Sequence, residues 1–195
     1  WHYTGPNADN NMLIRAVKKF KGIDILVITG DLKQFGENYD NTLSILRKLI
    51  EGLGLEPEDV FMVPGNHDCD DYDRKKEVIA DIRKNMFNDK EYYRKYLDEL
   101  YQGMQTYKSF LEDFYGKGGI EQGGIHNQFH VWKGCLNILS INTALLCDNN
   151  SEKDKLVDIN ELTVLEKKDD LPVLCIAHHK LDQLYLDHED AVKET

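Results

Sequence analysis

Apolar residues along this chain follow two periods. Met12, Leu13, Ala16, Val17 and Phe20 recur at helical spacing behind the cap-like Asp9-Asn10-Asn11, with Lys18 and Lys19 near the other end, which predicts an amphipathic helix. Residues 23–29 are instead almost continuously aliphatic or β-branched and halt at Gly30-Asp31, the pattern of a strand buried on both faces of a parallel sheet. The cycle then repeats. Leu43, Leu46, Leu49, Ile50 and Leu53 predict a helix ending at Gly52 and Gly54, and residues 60–63 predict a strand that stops at Pro64-Gly65. Short apolar runs at 136–141 and 172–177 predict two more strands, one ending near Asn142 and the other at His178-His179, and 128–132 reads as a further strand. Strands alternating with helices place the chain in the α/β class.

One stretch departs from this rhythm. From about residue 70 to 115, Tyr93, Leu97, Leu100, Met104, Tyr107, Leu111 and Phe114 fall at alternating spacings of four and three, which predicts a helical insertion. A helix pair is expected, with Val78, Ile79 and Ile82 on the earlier arm and the aromatic residues forming a packing seam. The glycine-rich run 116–124 lacks the Lys and Ser/Thr of a phosphate-binding loop and reads as a connector.

Composition narrows the picture. With 195 residues and 41% hydrophobic content the chain can fill one core, and its longest apolar runs fall far short of the roughly 20 residues that cross a bilayer. A net charge of -11 works against non-specific nucleic-acid binding, which draws its affinity from cationic side chains. It leaves a nuclease open, because bound cations reverse the local field at a carboxylate-rich site. Cys69, Cys135, Cys147 and Cys175 are widely separated, so reduced thiols and a cytoplasmic protein are the expectation.

The chemistry gathers at strand ends, where open α/β sheets bind ligands. Those ends carry Asp31, Asn66, His67, His178 and His179. Gly-Asp after a strand, or one strand-end His, is common in any α/β protein. Gly65-Asn66-His67-Asp68 is more specific, since its glycine permits a tight turn and the next three residues offer an oxygen ligand, an imidazole and a carboxylate able to orient that imidazole. Carboxylate, amide and imidazole without thiolate suit Mn, Fe or Zn in an open catalytic site. The acids Asp68, Asp70, Asp71 and Asp73 lack the spacing of a calcium loop, so Asp70 and Asp71 are expected at the start of the next helix. His126 and His130, in or beside a strand, are expected to be structural.

In the order Gly30-Asp31, Gly65-Asn66-His67-Asp68, then a strand followed by His178, the chain resembles the calcineurin-like metallophosphoesterases. The resemblance implies a layered β-sheet sandwich flanked by helices, carrying the helical insertion after Gly-Asn-His-Asp. It implies two divalent metal ions: Asp31 bridging both, Asn66 and His178 on the second, and His2 on the first, as the tail of an Asp-x-His motif. It also implies a metal-bound hydroxide as nucleophile, His67 facing the substrate phosphate, and Asp68 holding His67 in the right protonation state. His179 would stand behind the ligands or face the substrate. No Gly-His-x-His follows His178, and Lys33 and Gln34 stand where some relatives carry an acid. The 195 residues thus read as one domain clipped at both ends, with further domains or chain segments expected as partners. The substrate implied is a small phosphodiester or phosphomonoester. A DNA or RNA phosphodiesterase and a catalytically silent scaffold of the same fold are the alternatives.

Overall fold

The computed structural model describes Arg15, Val17, Lys19, Phe20 and residues 22–33, 38–70, 72–85, 90–147, 167, 168 and 170–180. The helix expected over 12–20 lies almost wholly outside these residues. The first strand, β1 (Leu26–Ile28), is shorter than the apolar run that encodes it. Helix α1 (Asp40–Leu53) follows, then β2 (Val60–Met62), α2 (Tyr72–Asn85), α3 (Lys90–Gln102), α4 (Gln105–Tyr115), β3 (Gln128–Trp132), β4 (Leu136–Ile141) and β5 (Val173–Ala177). Gly52 lies inside α1, and Gly54 ends it: its φ of 72° closes a left-handed cap in which the Leu55 N–H reaches back to the Ile50 carbonyl.

The described strands form two sheets. β1 and β2 pair in parallel, Leu26 opposite Val60 and Ile28 opposite Met62. β4 lies between β3, antiparallel to it, and β5, parallel to it. Successive strand side chains point to opposite faces, and β2 uses both faces. Val60 and Met62 join the larger core with Leu46, Ile50, Tyr107 and Leu111, while Phe61 and Val63 pack with Ile138 and Ile176 of the other sheet. β2 is therefore buried on both sides, as its unbroken apolar sequence requires.

Among its described residues, the stretch expected to hold a helix pair contains three helices. The even seam through Tyr93 and Phe114 gives no hint of the break between α3 and α4, where Gly103 stands with its carbonyl accepting from the Asp70 N–H at 2.6 Å. Asp70 also fixes the new helix: its carboxylate accepts from the Thr106 N–H at 3.0 Å, in the first turn of α4. Asp70 thus serves a helix more than thirty residues on, whereas sequence had assigned it to the adjacent one; Asp71 lies outside the described residues. Aromatic packing is present among the described residues, with Tyr39 stacked on Phe110 at 4.5 Å and Tyr107 and Phe114 beside it. Residues 116–124 act as the connector, held where the Tyr107 hydroxyl donates to the Gly123 carbonyl at 2.8 Å.

Candidate metal centre

Three strand ends bring the polar side chains together. Gly30, just past β1, has φ 90°, and a Cβ there would strike the Gly65 backbone and stand 2.8 Å from His178 Nδ1. Glycine lets the loops after β1 and β2 touch, with β5's His178 against both. A side chain at Gly65 would in turn strike Asp31. Asp31 has φ 55°, a left-handed backbone that L-residues adopt at a cost and Asp tolerates better than most. Strain of this kind persists where surrounding contacts fix it, and it is found at functional sites.

Those contacts are specific. Asp31 Oδ1 accepts from the His67 backbone N–H at 3.1 Å, and Oδ2 lies 3.6 Å from His178 Nε2. On the other side of the imidazole, Nδ1 lies 2.6 Å from the Thr29 carbonyl oxygen. A carbonyl only accepts, so Nδ1 carries a hydrogen, and in the tautomer this fixes Nε2 presents a lone pair. That lone pair faces Asn66 Oδ1 at 3.0 Å as well as Asp31. Three acceptors turned toward one another repel unless a proton or a cation lies among them. One imidazole nitrogen, one amide oxygen and one carboxylate oxygen form a donor set suited to a divalent transition metal, and Thr29 is the outer partner that fixes the ring's tautomer. The residues fit a metal.

Among the described residues no cluster of three His, Cys, Asp or Glu side chains forms, because the third donor here is an amide. His2 lies outside the described residues. His67 is half-buried in a single 3-10 turn, Asn66–Asp68, beside Asp31.

The Asp68 carboxylate ties two loops together. Its side chain is fully buried, and both oxygens are engaged elsewhere: Oδ2 accepts from the Gly65 N–H at 2.8 Å, and Oδ1 from the Tyr39 hydroxyl at 2.8 Å and the Leu32 N–H at 3.1 Å. Asp68 therefore bolts the loop after β1 to the loop after β2. Burial pushes its carboxyl up from the usual range, and the donors from Gly65, Tyr39 and Leu32 pull it back down. Burial, helped by the nearby Asp31 carboxylate, leaves the carboxyl above its ordinary value. Burial first, and Asp68 second, push the Tyr39 hydroxyl far up, so it stays protonated as a donor.

The remaining polar groups support this arrangement. Lys33 is buried, reaches Asp70 Oδ1 at 3.0 Å and lies over the Tyr39 ring. His179 sits behind His178 with the ring centroids 4.6 Å apart; Thr143 Oγ1 meets its N–H at 3.1 Å and its Nδ1 at 2.9 Å, and Cys147 Sγ lies 3.5 Å from its Nε2. His126 packs on Tyr101, and His130 packs on Phe61 with Nε2 3.1 Å from the Glu121 carbonyl. Burial lowers the His130 pKa. Sequence reading missed Tyr39, Thr143 and the Lys33–Asp70 pair. Asn142-Thr143 at the end of β4 was a readable strand-end signal; nothing local marks Tyr39, whose partner lies 29 residues away.

Comparison with known proteins agrees with the geometry. The family model described as calcineurin-like phosphoesterase matches residues 1–194. The chain is 28% identical over 194 residues to an uncharacterized metallophosphoesterase-like protein, YydB, of Bacillus subtilis (strain 168). That match covers 92% of this chain and 39% of the relative, so the chain spans about two-fifths of the relative's length. No solved structure matches it. With Gly30-Asp31, Gly65-Asn66-His67-Asp68 and His178 meeting where the carboxyl ends of three strands converge and a family model spanning nearly the whole sequence, the chain belongs to the calcineurin-like phosphoesterases.

Proposed function

We propose that this chain hydrolyses small phosphate monoesters or diesters using two divalent cations, Mn, Fe or Zn. The observation that carries the reading is the convergence of His178 Nε2, Asn66 Oδ1 and Asp31 Oδ2, an imidazole nitrogen, an amide oxygen and a carboxylate oxygen. Asp31 would bridge the two cations, Asn66 and His178 would hold one, and His2 would hold the other. Such ions supply an activated water near neutral pH and polarise phosphate oxygens.

The chain's own groups do the positioning. Thr29 holds the His178 Nδ1–H, which aims Nε2 at the site. The His67 N–H holds Asp31 Oδ1, leaving Oδ2 turned inward. His67's imidazole would stabilise the phosphate in the transition state or deliver a proton to the leaving oxygen. We read α2 to α4 as an insertion that walls the site, which favours compact substrates over polymeric ones.

The test is hydrolysis of p-nitrophenyl phosphate and bis-p-nitrophenyl phosphate with Mn²⁺, in the wild type beside Asp31→Asn and His67→Ala. Activity in the wild type that each substitution reduces by about a hundredfold or more, as expected for loss of a bridging ligand or a proton donor, supports the reading. Equal rates in all three proteins sink it.

A further inference from the structure

Lys75, on α2, is a buried amine whose partners are a carbonyl and a sulfur. Its residue is 8% exposed, its Nζ donates to the Ala144 carbonyl at 2.5 Å, and it stands 3.0 Å from Cys69 Sγ. Neither partner is a carboxylate, the usual companion of a buried lysine. Cys69 is 4% exposed, directly follows Asp68, and has its sulfur 3.7 Å from the same Ala144 carbonyl. A cavity of about 280 Å³ reaches Lys75 between Asp70, Glu99 and Gly103, wide enough for a small neutral oxidant.

We propose that Cys69 and Lys75 form an oxidative crosslinking site at which peroxide joins Sγ to Nζ through a single oxygen. One hydrogen peroxide converts the Cys69 S–H to a sulfenic acid and leaves as water. A second takes one hydrogen from the sulfenic O–H and one from the neutral Lys75 amine as the O–N bond forms, its two oxygens leaving as two waters. An ammonium at Lys75 first gives one proton to water in the cavity. An intervening oxygen leaves nitrogen and sulfur close to where they stand, whereas a direct S–N bond would draw Nζ off the Ala144 carbonyl. Burial raises the Cys69 thiol pKa against the pull of Lys75, so the thiol is the resting form and the first oxidation is slow. The link would fasten α2 to the end of the turn that carries Asn66 and His67, and a thiol reductant would release it.

The test uses the folded chain treated with hydrogen peroxide and digested with trypsin without reduction. Cleavage after Arg74 separates the two residues, so a link appears as one joined species, heavier than its two peptides by one oxygen and lighter by two hydrogens. It should vanish after dithiothreitol, in Lys75→Met, and when the wild type is oxidised in urea, where only the sequence and not the fold holds the pair together. Recovery of unlinked peptides from the folded wild type, of Cys69 as sulfinic acid with Lys75 free, or of a Cys69–Cys147 disulfide overturns it.

Discussion

At the scale of single residues, the centre depends on two positions where a side chain cannot be enlarged. Replacing Gly30 with Ala puts a Cβ into the Gly65 backbone at a φ of 90°. The loops after β1 and β2 must then part, and His178 must swing from Thr29. Gly30→Ala should weaken Mn²⁺ binding at least about tenfold, as misplaced ligands do, and calorimetric titration of the two proteins would read it directly; unchanged affinity would mean that the close approach is irrelevant to the metal. Asp59 offers a separate test at the far end of β2. The Lys133 ammonium 2.7 Å away, helped by the Trp132 indole N–H, holds its carboxyl below the usual range despite burial. A carboxyl depressed in the folded state contributes stability above its unfolded pKa and loses it as pH falls through the folded value. Urea unfolding of wild type and Asp59→Asn should therefore differ at neutral pH and converge in acid. A gap that widened on acidification would reverse the assignment.

At the scale of elements, the junction of α3 and α4 is set from outside both helices. Asp70 supplies α4 with a first-turn acceptor and Lys33 with its counterion. Asp70→Ala removes both, and the loss should be about 2–3 kcal/mol, combining a missing cap with a buried cation left unpaired. Adding Lys33→Met should recover part of it in chemical denaturation; no recovery would assign the cost to the cap alone. This junction also marks where the sequence became opaque. The strand ends were legible because Gly30-Asp31, Gly65-Asn66 and Ala177-His178 each put a glycine or an apolar run against a polar stop. β4 fell on its short apolar run, and β3 over the 128–132 read as a strand. The break at Gly103 was not legible, since Leu100, Met104 and Tyr107 keep their spacing across it and the interaction that imposes the break comes from Asp70. The hydrogen-bond partners of Asp68 were not legible for the same reason. Its neighbour in sequence, His67, suggested one partner, while its three donors lie on Gly65, Leu32 and Tyr39.

At the scale of the whole molecule, a chain of net charge -11 places the buried carboxylates Asp31 and Asp68 in the loops that follow β1 and β2. A cation bound there stabilises the fold by mass action, by about 2.7 kcal/mol at a hundredfold excess over its dissociation constant. Thermal melts of the chelator-treated chain should rise with added Mn²⁺, and Asp31→Asn or His178→Ala should flatten that rise. A shift of equal size in the substituted proteins would place the cation elsewhere. Among the described residues no helix is long and apolar enough to cross a membrane.

The carboxylate that fastens the two loops has a consequence for their motion. The amide hydrogens of Gly65 and Leu32 lie in connections between elements, where exchange with solvent is ordinarily fast because small openings suffice. Here each is bonded to the buried Asp68, so releasing either exposes an ion held by three groups at once. Their deuterium uptake should accordingly follow that of the β2 interior, and the loop that carries Asn66 and His67 should open only when the core does.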